Sequence, residues 1–257
     1  MTVVMSVVDK NERIQDEGMD CCFGRTLDWF DRDRTHNILF HSSFFAYLTF
    51  DLSDPEQNYT TKDGATICFG DYVKAWANLF IQAHPHQLIH IPISYPTNQH
   101  WVYAFICKGE RKVFLTDSMA SSENMLFVFD RLLAFVEACM KFGNLVDPRS
   151  NEWTRSFIRT PLQKDVITCG PLVYSNFLRN LRLSQPFEIS HMKEHPEKYD
   201  LPVLDTSDEV ESFRKLMYKI LLVHERWGVR NSLIDQMRPI MDSFNEFYEP
   251  SRFRRRK

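Results

Sequence analysis

Hydrophobic and polar residues follow two different periods along this chain, and the change of period predicts a mixture of strands and helices. Three stretches, 87–95, 101–107 and 112–116, are rich in aromatic and β-branched residues, as strands usually are. The polar tetrapeptide Lys-Gly-Glu-Arg separates the second stretch from the third, so we expect these two to pair as a β-hairpin. Over 72–80, apolar residues recur every three or four positions, which predicts a helix.

The chain beyond the hairpin alternates between helical and extended patterns. Ser121 or Ser122 can cap a helix that ends at Gly143, and 156–161 has the pattern of a short strand. A second amphipathic helix begins near Cys169. Helices that alternate with short strands predict a mixed α+β order around a small sheet.

Two more helices are predicted toward the end of the chain. Thr206 and Glu209 have the spacing of a capping box, and the helix that they begin ends at Gly228. A last helix continues to about Tyr248, with a kink at Pro239. Together the patterns predict an α+β fold, in which a small central mixed sheet is flanked by helices and followed by a helical C-terminal extension.

Length and composition fit one large domain with that extension. The 257 residues are 44% hydrophobic and 25% charged, which is ordinary for a globular protein. We expect a loose polar segment over 1–20, the main domain over 21–184, the helical extension over 185–248 and a basic tail over 249–257. The main domain is expected to be monomeric.

Net charge and hydropathy narrow the classes of partner. The formal net charge of -3 gives no reason to expect a nucleic-acid partner, although the last six residues, 252–257, are strongly basic. No stretch reaches the roughly 18 apolar residues of a membrane span, and the polar N-terminus does not look like a signal peptide. We therefore expect no membrane partner and a place in the nucleus or cytoplasm.

The six cysteines do not form the pattern of a disulfide framework. They are irregularly spaced along a long chain, and no CxxC pair is present, so we expect reduced thiols. Cys107 lies in a predicted strand and Cys139 on the apolar side of a predicted helix, which indicates two core residues. A reduced thiol elsewhere in the chain is then chemically available as a nucleophile.

A histidine and a carboxylate lie at the open end of the predicted hairpin. If Lys108 and Gly109 form a two-residue turn, His100 lies opposite Asp117 on the neighbouring strand, and a four-residue turn shifts this register by two residues. Neighbouring strands are about 4.8 Å apart, so the imidazole and the carboxylate can share a hydrogen bond. Such a pair is part of a catalytic triad, which also needs a nucleophile.

Cys169 has the surroundings that a nucleophile requires. It precedes a helix whose first turn carries Pro171, so its thiol is expected at the helix N-terminus, where a thiolate is favoured. Gly170 leaves room for a substrate backbone to approach. Gln163, six residues earlier, can donate a side-chain N–H to an oxyanion.

The order of these residues resembles that of a known family. The order His-Trp, Asp-Ser and then Gln-x5-Cys-Gly is similar to that of the ubiquitin-like-protein-specific cysteine proteases, the Ulp/SENP-type deSUMOylating and deneddylating isopeptidases. The segments "HSSFFAYL", "YVKAWANLF", "IHIPIS" and "FLTDSM" also resemble that family, over roughly 41–182. The resemblance implies a papain-like fold related to that of the adenovirus protease, adenain.

The resemblance also implies roles for particular residues. It makes Cys169 the nucleophile, His100 the general base, Asp117 its orienting carboxylate and Gln163 the oxyanion donor, in agreement with the chemistry above. It implies that the substrate is a ubiquitin-like modifier, SUMO or a NEDD-type protein, cleaved after its C-terminal Gly-Gly through a thioester. It implies no cofactor.

Three further residues are implied in substrate binding. Trp76 and Trp101 are expected to wall a narrow tunnel for the Gly-Gly tail, with Gly170 beside it. The chain departs from the family's usual Asp-Cys-Gly-Val at Thr168 and Pro171, and neither residue performs chemistry in the proposed mechanism.

Other interpretations of the sequence remain open. The same fold could serve as a catalytically inactive module that binds a ubiquitin-like protein, or the same triad could transfer an acyl group to another acceptor. Three histidines that are close in sequence suggest a metal site, namely His84, His86 and His90. No cysteine or carboxylate lies at a spacing that would complete a tetrahedral set of ligands.

Overall fold

Helices and strands alternate along the chain, as the sequence patterns predict. The computed structural model describes residues 13–31, 33, 35–49, 58–60, 64, 66–68, 70–95, 100–143, 153–158, 160–183, 204, 206–223 and 232–245. The elements in chain order are α1 (Asp16–Phe30), β1 (Asn37–Leu39), α2 (Phe44–Thr49), β2 (Asn58–Thr60), β3 (Thr66–Cys68), α3 (Asp71–Gln82), β4 (Leu88–Tyr95), β5 (His100–Cys107), β6 (Lys112–Thr116), α4 (Ser122–Phe142), β7 (Thr154–Phe157), α5 (Cys169–Leu183), α6 (Ser207–Leu221) and α7 (Ser232–Asn245).

Five strands form the central mixed sheet, in the order β1-β4-β5-β6-β7. The inner pairs, β4 with β5 and β5 with β6, are antiparallel, whereas β1 and β7 each add in parallel at an edge. Strands β2 and β3 form a separate antiparallel pair. The predicted small mixed sheet flanked by helices is therefore confirmed.

The central strand β5 is buried along its whole length, because helices cover both faces of the sheet. Its side chains alternate between the faces, as the pleat of a strand requires. Trp101 and Tyr103 point into one hydrophobic cluster, and Val102 and Ala104 point into the other. A strand with two buried faces is apolar almost throughout, which explains why the sequence shows a continuous apolar run instead of alternation.

The first cluster joins the sheet to α1, α5, α6 and α7. Phe23 of α1 stacks on Phe177 of α5 with ring centroids 4.0 Å apart, and both rings are fully buried. Phe213 of α6 contacts Phe244 of α7, and both rings also lie against Tyr174. The two helices of the C-terminal extension therefore share the core of the main domain.

The second cluster, on the opposite face, joins the sheet to α2, α3 and α4. Phe44 and Phe135 make an edge-to-face contact at 4.8 Å, a geometry that aromatic rings favour. Cys139 of α4 is fully buried here, and Cys107 of β5 is buried on the other face, as predicted. Among the described residues, no helix is long and apolar enough to cross a bilayer.

The hairpin between β5 and β6 has a four-residue turn. Cys107 pairs with Lys112, so the two-residue turn was the wrong choice of the two that the sequence allowed. The reason is that the first turn residues are held by another element. Lys108 donates its ammonium group to the carbonyl of Phe80 at the end of α3, and the N–H of Gly109 donates to the carbonyl of Pro85.

Gly109 is required at that contact. A Cβ at this position would lie 2.9 Å from the carbonyl oxygen of Pro85, closer than a methyl group can approach. The turn closes at Arg111, whose φ of 52° lies in the left-handed region. The apolar strands were thus found from the sequence, but the turn length depends on a contact with a distant segment.

The N-terminal segment is ordered earlier than expected. We expected a loose segment up to Asp20, but α1 begins at Asp16, and Ile14 and Met19 are buried in the first cluster. Asp20 is also held in place, because its carboxylate accepts hydrogen bonds from the N–H and hydroxyl of Ser42. Apolar residues too few to show a helical period were enough to anchor this segment.

The remaining predicted elements differ mainly at their ends. Helix α4 begins after Ser121 and ends before Gly143, as predicted, and α6 has the predicted capping box of Thr206 and Glu209. The short strand β7 begins two residues earlier than expected, and α6 ends at Leu221, before the predicted stop. The predicted ends at 228 and 248, and the basic tail, lie outside the described residues.

Phe23→Ala tests whether α1 is part of the core. The substitution removes a fully buried ring that stacks on α5, so we expect the free energy of unfolding to fall by about 3–5 kcal/mol. Phe142→Ala on α4 is the matched control, because that ring is 54% exposed and its loss is expected to cost under about 1 kcal/mol. Urea unfolding of both variants measures the difference, and equal midpoints would show that α1 does not belong to the core.

Candidate active site

His100 and Asp117 meet at the open end of the β5–β6 hairpin. The imidazole Nε2 lies 2.7 Å from the carboxylate Oδ1, and both residues are 4% exposed. The observed register, continued by one residue, puts Asp117 opposite Val102, so the two residues are diagonal neighbours. The register expected for a two-residue turn differs from the observed one by two residues. The predicted contact between His100 and Asp117 still forms, because their side chains can reach across the diagonal.

The carboxylate of Asp117 is fixed from a second direction. Its Oδ1 also accepts a hydrogen bond from the backbone N–H of Met119 at 2.8 Å. The chain turns sharply there, with Ala120 at a φ of 50° and its N–H donating to the Asp117 carbonyl. The carboxylate therefore presents one oxygen to the imidazole in a fixed position.

The electrostatics of His100 favour its protonated form. Burial opposes the charge, but hydrogen bonds with Asp117 and with the side chain of Cys169, together with the negative charges of these two groups, raise the pKa to about 9. Because Nε2 is engaged by the carboxylate, Nδ1 is the ring nitrogen that can exchange a proton with the thiol. The structure thus brings together a cysteine, a histidine and an aspartate.

Cys169 is the first residue of α5, where the sequence predicted it. It is only 1% exposed. The loop before it is held by Asp165, whose Oδ1 accepts hydrogen bonds from the backbone N–H groups of Ile167 at 2.8 Å and Thr168 at 2.7 Å. The position of the thiol at the helix N-terminus is therefore fixed on both sides.

The other described cysteines have different surroundings. Burial raises the pKa of the Cys22 and Cys139 thiols well above the usual range, and it raises the pKa of Cys21 and Cys107 as well. A thiol with a raised pKa holds its proton and is a poor nucleophile at neutral pH. Cys169 is the described cysteine that shares a hydrogen bond with a histidine.

Gly170 does not leave the open space that we expected. It is buried, and a Cβ there would lie 3.1 Å from Cε of Met19 and 3.2 Å from Cδ1 of Ile14. The close approach at this glycine is made by the N-terminal segment, which packs against the start of α5. Its small size is explained by core packing.

Gln163 lies in the loop before Cys169, with its side chain held at both ends. Its Oε1 accepts a hydrogen bond from the hydroxyl of Ser118 at 2.6 Å, and its Nε2 donates to the carbonyl of Asp165 at 2.7 Å. Its backbone N–H also donates to the carbonyl of Ser118 at 2.9 Å. An amide nitrogen carries two N–H groups, so one of them is available for a further acceptor.

The two tryptophans are not brought together. Trp101 belongs to the first hydrophobic cluster and Trp76 packs against the second, on the opposite face of the sheet. Trp76 contacts the ring of Phe44 at 5.2 Å. Trp101 is 3% exposed, and its indole N–H donates to the carbonyl of Ile14 at 2.8 Å. A tunnel walled by both indoles was therefore a wrong prediction. Trp101 points to one face of the sheet, and α3, which carries Trp76, packs on the other.

The sequence analysis missed three residues that shape the site. Ser118 and Asp165 hold Gln163 and the loop, and Ile14 covers Trp101. Ser118 directly follows the triad carboxylate in the chain, and Asp165 has the spacing of a turn that its own side chain stabilises, so both had a local signal. Ile14 had none, because its contact with Trp101 spans 87 residues of sequence.

A cavity of about 270 Å³ adjoins the loop before the nucleophile. Its walls come from that loop, from the start of α5 and from the first turns of α6. Gln163 and Thr168 line it on one side, and Ser207 and Asp208 line it on the other. Helix α6 thus contributes to the surroundings of the loop that precedes Cys169.

The three histidines considered for a metal site are separated in the structure. His84 and His86 lie next to each other, with ring centroids 5.1 Å apart, at the surface. His90 is fully buried, and its two ring nitrogens pair with the hydroxyl of Tyr103 and the side-chain oxygen of Asn37. No group of three metal-binding side chains is present among the described residues.

The fold of this chain is similar to that of several solved proteases. The C-terminal protease domain of yeast Ulp1, solved in complex with Smt3, the yeast orthologue of SUMO, has a TM-score of 0.56 at 14% identity, covering 86% of this chain and 81% of that one. A de-sumoylating protease has a TM-score of 0.58 at 14% identity over 96% and 92% of the chains. The Ulp1-like SUMO protease domain of Chaetomium thermophilum has a TM-score of 0.54 at 17% identity over 88% and 79%.

These structural likenesses, at such low identity, establish a shared fold. No curated protein matches the chain significantly. The profile of the Ulp1 protease family, C-terminal catalytic domain, matches residues 15–218, which include His100, Asp117, Gln163 and Cys169. Because this match spans most of the sequence, the chain belongs to the Ulp1 protease family.

Proposed function

We propose that this protein is a cysteine isopeptidase that cleaves after the C-terminal Gly-Gly of a ubiquitin-like modifier. The observation that carries the proposal is the buried hydrogen bond between His100 and Asp117, next to the thiol of Cys169. This set has the roles of a Cys-His-Asp triad, in which a base activates the nucleophile and a carboxylate orients the base. The same three residues lie within the matched region of the protease family.

The reaction begins with His100 protonated, because the imidazole holds the proton that the thiol of Cys169 has given up. The thiolate attacks the carbonyl carbon of the terminal glycine, and the carbonyl electron pair moves onto oxygen. Gln163 and the backbone N–H of Cys169 are proposed to stabilise this oxyanion by hydrogen bonds. The imidazolium then gives its proton to the leaving amine as the C–N bond breaks, which produces a thioester and a free lysine side chain.

Water completes the cycle. His100, now neutral, removes a proton from the water that attacks the thioester, and the thiolate leaves as the modifier is released. Asp117 holds the ring through Nε2, so that Nδ1 faces the sulfur. No cofactor takes part in this scheme.

The enclosure of the nucleophile supports a preference for glycine. Cys169 is 1% exposed and belongs to the same buried cluster as Trp101, so we expect an acyl group to enter as a thin extended chain. Glycine is the residue with no side chain to clash in such a space. We propose that Trp101 forms one wall of the space through which the glycine tail enters. Trp76 does not line this space, because it packs on the opposite face of the sheet.

The relatives with this fold support a class of modifier for the proposal. The yeast relative was solved with Smt3, an orthologue of SUMO, and the Chaetomium relative is described as a SUMO protease. We therefore propose SUMO or a NEDD-type modifier, with SUMO favoured by these relatives. The proposal places the protein in the nucleus or cytoplasm, where Cys169 stays reduced.

An inactive binding module is the second candidate, and the geometry argues against it. A binding surface has no need for a buried carboxylate that raises the pKa of an adjacent histidine to about 9. Perturbed pKa values of this kind concentrate at sites of proton transfer. Transfer of the acyl group to an acceptor other than water is distinguished by its product, because hydrolysis releases free modifier.

Cys169→Ser tests the nucleophile. The hydroxyl ionises far less readily than the thiol, so we expect hydrolysis of a modifier conjugate to fall at least a thousandfold, with binding of the modifier nearly unchanged. Cys21→Ser is the matched control, because Cys21 lies on α1 away from this mechanism, and its activity should stay native. Release of free modifier measures activity, and residual activity of about a tenth or more in Cys169→Ser would remove this residue from the role.

The pH profile tests the role of Asp117. The active imidazolium is retained up to a pKa of about 9, so kcat/KM of the native protein should fall as the pH rises through that value. Asp117→Asn removes the charge that holds this pKa up, so its alkaline limb should move to lower pH, with a large loss of kcat.

The same groups predict how stability depends on pH. The folded pKa of His100 lies above its ordinary value of 6.5, so its contribution to stability is full below about pH 6.5 and is lost as the pH rises through 9. Thermal unfolding of the native protein and of Asp117→Asn across this window checks the sign. An unchanged alkaline limb and equal stability profiles in the two proteins would show that Asp117 does not control His100.

A change in the substrate tests whether the space beside Cys169 admits only glycine. A modifier whose penultimate glycine is changed to alanine should lose at least tenfold in kcat/KM, because the added methyl group has no space beside Trp101. A change several residues upstream, outside the enclosed region, is the control and should cost little. Equal rates for the alanine and glycine substrates would contradict the Gly-Gly preference, and with it the ubiquitin-like substrate class.

A further inference from the structure

The turn that follows strand β6 and the loop that carries Gln163 are joined by two hydrogen bonds at one residue, Ser118. The Ser118 hydroxyl donates to Oε1 of Gln163 at 2.6 Å, and the Ser118 carbonyl accepts from the backbone N–H of Gln163 at 2.9 Å. Ser118 is 2% exposed, so water does not compete strongly for these bonds. The segment that holds the triad carboxylate therefore also fixes the proposed oxyanion donor.

The other end of the Gln163 amide is fixed by Asp165. Nε2 donates to the backbone carbonyl of Asp165 at 2.7 Å, and a carbonyl can only accept hydrogen bonds. This contact requires the nitrogen, and not the oxygen, to lie on that side of the amide. The carboxylate of Asp165 binds the N–H groups of Ile167 and Thr168, which connects the amide to the residue before Cys169.

The orientation of this amide matters for catalysis. A flipped amide would present its oxygen, which carries partial negative charge, to a developing oxyanion and would repel it. An amide free to rotate would spend part of its time in that arrangement and would have to be ordered during the reaction. Hydrogen bonds at both Oε1 and Nε2 of Gln163 oppose the flip and the rotation.

We propose that Ser118 is a positioning residue, which with the Asp165 carbonyl holds the Gln163 amide so that its second N–H faces the oxyanion. The inference rests on the proposed function in one respect, since it takes Gln163 as the oxyanion donor. It adds a residue outside the triad to the catalytic apparatus. It also explains why the serine directly follows the triad aspartate, since the backbone and the hydroxyl of that residue act together on one partner.

A double-mutant cycle tests the proposal. Removing an oxyanion donor costs roughly a hundredfold or more in kcat, so Gln163→Ala is expected to lose about that much. Ser118→Ala should lower kcat about tenfold with KM within about twofold, because it loosens the amide without removing it. The combined variant should be no slower than Gln163→Ala alone, since the serine has nothing left to position. Ser121→Ala is the matched control, because its hydroxyl caps no backbone group of α4, and it should remain native.

Two substrates separate this inference from the proposed function. The cycle is measured with a SUMO conjugate and with p-nitrophenyl acetate, a small ester that also forms an oxyanion but needs no modifier. If the ester shows the coupling and no ubiquitin-like conjugate is cleaved, the positioning role stands and the proposed substrate class fails. If the conjugate is cleaved and the losses in Ser118→Ala and Gln163→Ala multiply in the combined variant, the positioning role fails.

Alkylation of Cys169 by iodoacetamide separates positioning from general damage. This reaction consumes the thiolate but forms no oxyanion, so its rate at Cys169, followed by peptide mass spectrometry, should be native in Ser118→Ala. A rate that falls as far as kcat would show that Ser118 acts on the triad or on folding, and would overturn the proposal. Ser118→Cys, whose thiol is a weaker donor of similar size, should give an intermediate kcat and provides the test if Ser118→Ala does not fold. A native kcat in Ser118→Cys would also overturn it.

Discussion

Burial of the β5–β6 hairpin on both faces is the constraint on which the rest of the site depends. Four helices cover one face of the sheet and three cover the other, so the hairpin strands cannot slide or tilt without disrupting one of two cores. His100 and Asp117 lie at the open end of this hairpin, where the strands are held but the side chains can leave the hydrophobic layers. A rigid hairpin therefore supplies the two groups that a weakly held loop would not keep within 2.7 Å of each other.

The packing of α5 against the same sheet brings the third group to this place. Cys169 begins that helix, and the helix is anchored along its length by aromatic contacts such as Phe177 with Phe23. The burial that fixes the three groups also sets their electrostatics. A histidine removed from water would ordinarily lose its proton, but Asp117 and Cys169 reverse this, and the result is a buried imidazolium with a raised pKa. Burial against the same sheet thus fixes the positions of the three groups and also sets the pKa of His100.

Short-range patterns predicted strands β4–β7 and helices α3–α7, together with the capping box of Thr206 and Glu209. Helices α1 and α2 and the short strands β1–β3 were not predicted, and long-range contacts decided the remaining details. The turn after Cys107, by contrast, is set by contacts of Lys108 and Gly109 with another segment, which no local pattern records. The pairing of His100 with Asp117 did not depend on the exact register, because diagonal neighbours are also in reach.

The errors at the site have the same physical cause. Trp76 and Trp101 were assigned to one tunnel from their residue type, but which face of a sheet a side chain meets is a property of the whole fold. Gly170 was expected to face substrate and instead faces Ile14 and Met19, from a segment whose order was not predicted. Ser118 was not predicted because its partner Gln163 is 45 residues away, although both residues lie in segments that resemble the protease family.

Covalent capture tests the central claim most directly. The protein is incubated with a panel of full-length ubiquitin-like proteins, each carrying an electrophile in place of its C-terminal carboxylate, and intact mass and peptide mapping identify any adduct. The account predicts one adduct per protein molecule, located at Cys169, with SUMO or a NEDD-type modifier and not with probes that lack the Gly-Gly end. An adduct at another cysteine, or none with any ubiquitin-like probe while iodoacetamide still alkylates Cys169, would contradict the claim that this thiol serves a ubiquitin-like protease.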